Sequence, residues 1–230
     1  MEKSTRPDIA FATHNAARYS ADPRETHTKA VTHLCRYLLA TREQGTYYRP
    51  DLSRSFEVYA DAEFGGMFNK ETAQDDPETA KSRGGHLILY AGCPIIWASR
   101  LITEICLSTT EAEYVALSES MRATIPLMNL MEEFRGQELV TDDVHPNVYC
   151  TAFEDNDGAL ELARAPKMRP RTKHINHKYH FFRSHIYRPG DNAGKIHLLS
   201  IDTREQLADI FTKAVANELF GKFRKAIMGW

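Results

Sequence analysis

The order of the apolar runs after Ser55 constrains the fold of this chain more than any other feature of its sequence. "FEVYADAEF" opens as a strand, and "HLILYAG", "CPIIWAS" and "LITEICLS" follow as three more short strands at hairpin spacing. The texture then changes to alternation. A helix begins in "LSTTEAEYVALSES" and extends to Phe134, with Pro126 as a kink point. "NVYCTAFEDN" reads as a strand, "DGALELARA" as a short helix and "TKHINHKYHFFRSHIY" as a longer one. "GKIHLLSI" is a strand, and "TREQLADIFTKAV" is a helix with Thr203 as its cap. Hairpins followed by crossovers predict an α/β chain: a mixed sheet with helices on its faces.

Upstream lies a different texture. "DPRETHTKAVTHLCRYLLATREQGTYYRP" enters a helix at Asp22 and Pro23 and repeats apolar residues at Ala30, Leu34, Tyr37 and Leu38. Gly45 closes it, and Pro50 with Asp51 marks a boundary. The expected division is a helical segment over 1–50 and an α/β domain over 51–230. A length of 230 residues suits one domain with such an appendage. A net charge of -2 points to no partner by itself. Cys35, Cys93, Cys106 and Cys150 lie far apart with no CxxC pair, which argues against a zinc ribbon and for reduced thiols in an intracellular protein. No apolar run is long enough for a membrane span.

Four carboxylates stand at matching places. Asp61 is in the first strand, and Asp155 closes the strand "NVYCTAFEDN". Parallel pairing of those strands would set the two side by side, at the strand ends where open sheets carry their sites. Glu113 is on the first turn of the long helix, and Asp209 is inside "EQLADIF". Each has an ordinary explanation. Thr110 with Glu113, and Ser108 with Glu111, both read as capping boxes. If the four converge, however, they repel unless cations compensate. Hard oxygen donors suit Mg²⁺ or Mn²⁺. Two such ions about 3.5–4 Å apart can clamp the attacking water and the leaving oxygen of a phosphodiester.

A second stretch is basic. Arg164, Lys167, Arg169, Arg171, Lys173, Lys178, Arg183 and Arg188 occur with no acid among them. Such a run is either a solvated face or a set of phosphate contacts. His174, His177, His180 and His185 lie along it, the first three at three-residue steps that spread them around a helix. They fit packing or phosphate hydrogen bonding better than zinc. Trp97, Phe181 and Phe182 read as core.

Five motifs, "YADAEFGG", "LSTTEAEYVALSE", "EDNDGALELARAP", "RTKHINHKYHFFR" and "QLADIFTKAV", resemble in order the ribonuclease H domain of copia-type LTR retrotransposon Pol polyproteins. "RPDIAFATHNAARYSADPRETHTKAVTHLCRYLLAT" resembles the segment that joins reverse transcriptase to ribonuclease H there. The resemblance implies a ribonuclease H-like fold, a five-stranded mixed sheet flanked by helices, with the helical N-terminal appendage. It implies metal-dependent cleavage of the RNA strand of an RNA–DNA hybrid. Matched motif to motif, Asp61, Glu113, Asp155 and Asp209 become catalytic residues and ligands of two Mg²⁺ ions, with Mn²⁺ as the alternative. Glu111 is left as the first-turn acid. Asn156 becomes a candidate reader of the ribose hydroxyl, and Arg169, Arg171, Lys173, His174 and Lys178 become candidate contacts to nucleic acid. The implied partners are the hybrid and the reverse transcriptase domain of the same polyprotein, and the implied setting is cytoplasmic, in retrotransposon particles with access to the nucleus. The family usually has tryptophan after its first motif, where this chain has Glu63 and Phe64, and cysteine where it has Glu154. The competing expectation is a nucleic-acid-binding or structural remnant that keeps the fold without the activity.

Overall fold

The computed structural model describes residues 2–66, 68–71, 77–139, 147–165, 175, 177–190 and 194–230. Strands β1 (Phe56–Glu63), β2 (Arg83–Tyr90) and β3 (Cys93–Leu101) form an antiparallel meander. Strands β4 (Cys150–Glu154) and β5 (Ile196–Ser200) add in parallel beside β1, giving the order β3-β2-β1-β4-β5. The helices are α1 (Ala10–Ala17), α2 (Glu25–Ala40), α3 (Thr109–Gly136), α4 (Asp157–Arg164), α5 (Asp209–Thr212) and α6 (Asn217–Met228). A five-stranded mixed sheet flanked by helices, with a helical N-terminal appendage, is the architecture that the resemblance implied.

Alternation along the strands builds two cores, because successive side chains leave a sheet on opposite faces. Phe56, Val58, Ala60 and Ala62 of β1, with Cys150 and Ala152 of β4, pack against Tyr114, Leu117 and Met121 of α3. The other face carries Leu87, Leu89 and Trp97, covered by Ile210 and Phe211 of α5 and by Phe223, Ile227 and Met228 of α6. Tyr59 stacks on Phe153 at 4.7 Å beside that cluster. Three of the four cysteines are buried and all are free.

The N-terminal segment is anchored to this second face. Arg6 and Asp8 form a buried ion pair at 2.8 Å, and the Tyr37 hydroxyl donates to Asp8 at 2.6 Å. Trp97 Nε1 donates to the carbonyl of Glu2 at 2.6 Å, and the Tyr47 amide to that of Met228 at 3.0 Å. By contrast, α2 has no buried residue.

Three expectations are corrected. "LITEICLS" is not a strand: the Ile102 amide still donates to the carbonyl of Ser82 at 2.8 Å, and then the chain turns under α3. Ile102 and Cys106 are drawn into the core while Ile105 and Leu107 stay exposed, so the alternation is that of a coil. "TREQLADIFTKAV" is not one helix. A 3-10 turn Thr203–Glu205 is capped by Asp202, not Thr203, and the short α5 and the separate α6 follow. The buried Gln206 side chain breaks the run by donating to the carbonyl of Ala60 at 2.9 Å. Within "TKHINHKYHFFRSHIY" the described helix is a 3-10 segment, His177–His185. Helix α3 runs continuously through Pro126.

Candidate active site

The register of the parallel pair sets the site. Tyr59 is opposite Phe153, so two residues further Asp61 comes level with Asp155, just past the end of β4. Helix α3 brings the third acid. Ser108 is its N-cap and accepts from the Glu111 amide at 3.1 Å, and Glu111 in turn accepts from the Leu107 amide at 2.8 Å. Of the two possible caps, Ser108 therefore serves, and Glu111 reaches past it to the preceding amide instead of closing a capping box. Glu113 is left to face the sheet, where its Oε2 accepts from the Ala62 amide at 2.7 Å. Oxygens of Asp61, Glu113 and Asp155 lie within 4.8 Å of one another.

Asp209 arrives separately on α5. It is buried, and its Oδ1 lies 2.8 Å from Nζ of Lys213, one turn on. The same Nζ is 3.8 Å from Oδ1 of Asp61. Thr212 donates its hydroxyl to Oδ2 of Asp61. Asp209 is thus beside Asp61 but is not one of the three acids that share a single tight cluster. Gly85, opposite Asp61 across the antiparallel pair, makes room for α5: a Cβ there would lie 2.7 Å from Phe211 Cβ and 2.7 Å from Thr212 Cγ2.

The electrostatics are those of crowded, buried carboxylates. Burial pushes the Glu113 carboxyl up to about 11, with the charges of Asp61, Glu154 and Asp155 adding to it. Burial and the neighbouring Asp61 raise Asp209 to about 7, against the opposing pull of Lys213. Asp61 is raised by burial, and Lys213 and Thr212 oppose the shift. Glu154 is fully buried beneath this group and raised well above its ordinary value by burial, with Asp155 and Asp61 contributing. Its Oε1 accepts from the Asn156 amide at 3.1 Å, and its Oε2 has no hydrogen-bond partner among the described residues. A donor set of closely spaced carboxylates, each costly to ionise alone, fits a hard divalent cation.

The nucleic-acid candidates divide. Asn156 caps α4, its side-chain oxygen accepting from the Ala159 amide at 3.0 Å. Lys178 pairs with Glu104 and lies over the Tyr179 ring at 4.8 Å. Arg164 donates to the carbonyl of Leu198 at 2.7 Å, and Arg183 is buried. Lys167, Arg169, Arg171, Lys173 and His174 lie outside the described residues. His180 bonds the Tyr114 hydroxyl at 2.7 Å through Nδ1. Trp97 and Phe182 are core, while Phe181 is exposed.

Sequence reasoning passed over Thr212, Lys213 and Gly85. The spacing of Asp209 and Lys213, four residues apart, carried the signal, since such pairs face each other on a helix.

No protein-family model matches the chain. The chain is similar to the retrovirus-related Pol polyprotein from transposon TNT 1-94 of Nicotiana tabacum, 33% identical over 216 residues, covering 94% of this chain and 14% of the relative. It is also similar to that from transposon RE2 of Arabidopsis thaliana, 30% identical over 224 residues, covering 97% of this chain and 14% of the relative. The chain spans about a seventh of the length of these curated relatives. Among solved structures it is similar to the N-terminal RNase H domain of rv2228c from Mycobacterium tuberculosis, with a TM-score of 0.44 and 11% identity, covering 75% of this chain and 97% of that one.

Proposed function

We propose that this chain, which is homologous to copia-type retrotransposon Pol polyprotein sequences, is a ribonuclease H that cleaves the RNA strand of RNA–DNA hybrids. The observation that carries the reading is the meeting of Asp61, Glu113 and Asp155 oxygens within 4.8 Å at the end of β1 and β4.

In this reading Asp61, Glu113, Asp155 and Asp209 are the catalytic carboxylates and would hold two magnesium ions, or manganese. Bound divalent ions would make water acidic enough to attack a phosphodiester at neutral pH and would offset charge on the departing 3′ oxygen. The chain's own contribution is position. Asp61 stands between the Glu113 and Asp155 pair on one side and Asp209 on the other, so its carboxylate would help to hold a cation on either side. The Thr212 hydroxyl fixes the Asp61 carboxylate, and the Ala62 amide fixes that of Glu113. No side chain acts as nucleophile, and the products carry 5′ phosphate and 3′ hydroxyl ends.

Asn156, with its oxygen used in capping, offers its amide nitrogen to a ribose hydroxyl. Arg169, Arg171, Lys173, His174 and Lys178 supply phosphate contacts, which add salt-dependent affinity with little base specificity. Residues 1–50 form the connection to a reverse transcriptase domain of the same polyprotein, and 51–230 form the nuclease. The work would be done in cytoplasmic retrotransposon particles. Among the described residues no helix is long and apolar enough to cross a membrane.

The test is a labelled RNA–DNA hybrid incubated with the purified chain, with and without Mg²⁺, with binding measured beside cleavage. Metal-dependent cutting of the RNA strand alone is expected. Binding without cutting in both Mg²⁺ and Mn²⁺ would leave a nucleic-acid-binding remnant instead.

A further inference from the structure

The strongest unassigned feature is a cation already inside the acidic group. Lys213 is the residue that follows α5, and its side chain is 34% exposed. Its Nζ reaches Oδ1 of Asp209 at 2.8 Å and Oδ1 of Asp61 at 3.8 Å. The three acids that share a tight cluster exclude Asp209, whose carboxylate is engaged by the lysine instead. The site therefore has two unlike halves: a tight group of oxygens on Asp61, Glu113 and Asp155, and an edge between Asp61 and Asp209 that a positive charge occupies.

Resting on the ribonuclease H reading above, we infer that Lys213 is a place-holding cation: its ammonium occupies the Asp61–Asp209 edge, and a divalent ion gains that edge only by displacing it. A hard ion bound at about 2.0–2.1 Å from an oxygen cannot share that oxygen with an ammonium in hydrogen-bond contact without strong repulsion. A flexible four-carbon stem lets the ammonium swing away when another anion is offered. The phosphodiester of a bound hybrid is such an anion. The second ion and the substrate then bind cooperatively, and the free protein holds one ion.

Calorimetric titration of the whole chain with Mn²⁺, without nucleic acid, tests this. The unmodified protein should take up one ion per chain. Lys213→Met should take up two, or bind the second at least ten-fold more tightly, whereas Lys213→Arg should behave as the unmodified protein. Lys213→Gln gives the same reading should Lys213→Met fail to fold. Equal stoichiometry and affinity in the unmodified, Met and Gln forms overturns the role of Lys213 and leaves the nuclease reading intact. Failure of the unmodified protein to take up any Mn²⁺ overturns both.

Discussion

The amide of Ala62 donates to Oε2 of Glu113 at 2.7 Å, joining strand and helix across 51 residues of sequence. Such a bond favours the ionised carboxylate, yet burial and three neighbouring acids outweigh it and hold the carboxyl at about 11. The metal-free protein therefore binds protons at Glu113 and Asp209 that its unfolded chain releases. The sign follows from linkage. An acid with a raised folded pKa contributes stability that is complete below its ordinary value, 4.5 for Glu113 and 3.8 for Asp209, and is lost as pH rises toward the folded value. Thermal melting in a chelator should give a lower Tm at pH 8 than at pH 5, and Mg²⁺ should narrow the gap. A Tm that rises with pH in chelator contradicts the electrostatics described.

Glu113→Gln removes that burden while keeping the shape. In chelator at pH 8 it should stabilise the fold by at least about 1 kcal/mol, the equivalent of one pKa unit. For a chain of this length that is about 2–4 °C in Tm. The same variant should lose most of the stabilisation that Mg²⁺ gives the unmodified protein. A variant less stable than its parent in chelator contradicts the burden assigned to Glu113.

Gly85→Ala tests the seat of α5. The added Cβ meets Phe211 Cβ and Thr212 Cγ2, both at 2.7 Å, and neither atom is at the far end of a flexible chain. Overpacking of this kind costs about 1–3 kcal/mol. Its larger effect should be on cleavage, by about 10²-fold, since displacement of order 1 Å in a positioned site has that consequence. Denaturant melts and single-turnover rates measure the two separately. Unchanged cleavage means that α5 does not position the site.

Asp8→Ala tests the docking of the N-terminal segment. Asp8 is fully buried at its side chain and pairs with an Arg6 side chain that is only 6% exposed. Removing the acid strands the guanidinium, a loss of about 3–5 kcal/mol. A change below about 1 kcal/mol in the unfolding free energy from denaturant melts would show that residues 1–50 add little to the stability of the rest.

Much of this was legible in the sequence, and the failures have physical causes. Strands β1 and β4 alternate in burial, whereas β2 is buried at nearly every residue and reads as a strand from its short apolar run instead. Hairpin spacing followed by crossovers made the sheet mixed, without fixing the strand order. The meeting of Asp61 with Asp155 follows from parallel pairing, and that of Glu113 from a helix that starts beside them. The side of the site built by Thr212 and Lys213 was hidden. "TREQLADIFTKAV" has helical periodicity throughout, and nothing local says that a buried Gln206 amide, bonded to Ala60 across 146 residues, will break it. "LITEICLS" misled for a similar reason. Its alternation is that of a coil, where tertiary burial overrides β-propensity.

In the proposed mechanism Asp155 acts with Asp61 and Glu113, through the divalent ions they would hold, and single-turnover cleavage of a labelled hybrid by Asp155→Asn in saturating Mg²⁺ is the decisive measurement. The prediction is cleavage reduced by about three orders of magnitude or more, with the dissociation constant for the hybrid within about two-fold of the unmodified chain. An Asp155→Asn protein that binds the hybrid and cuts it at a comparable rate contradicts the assignment.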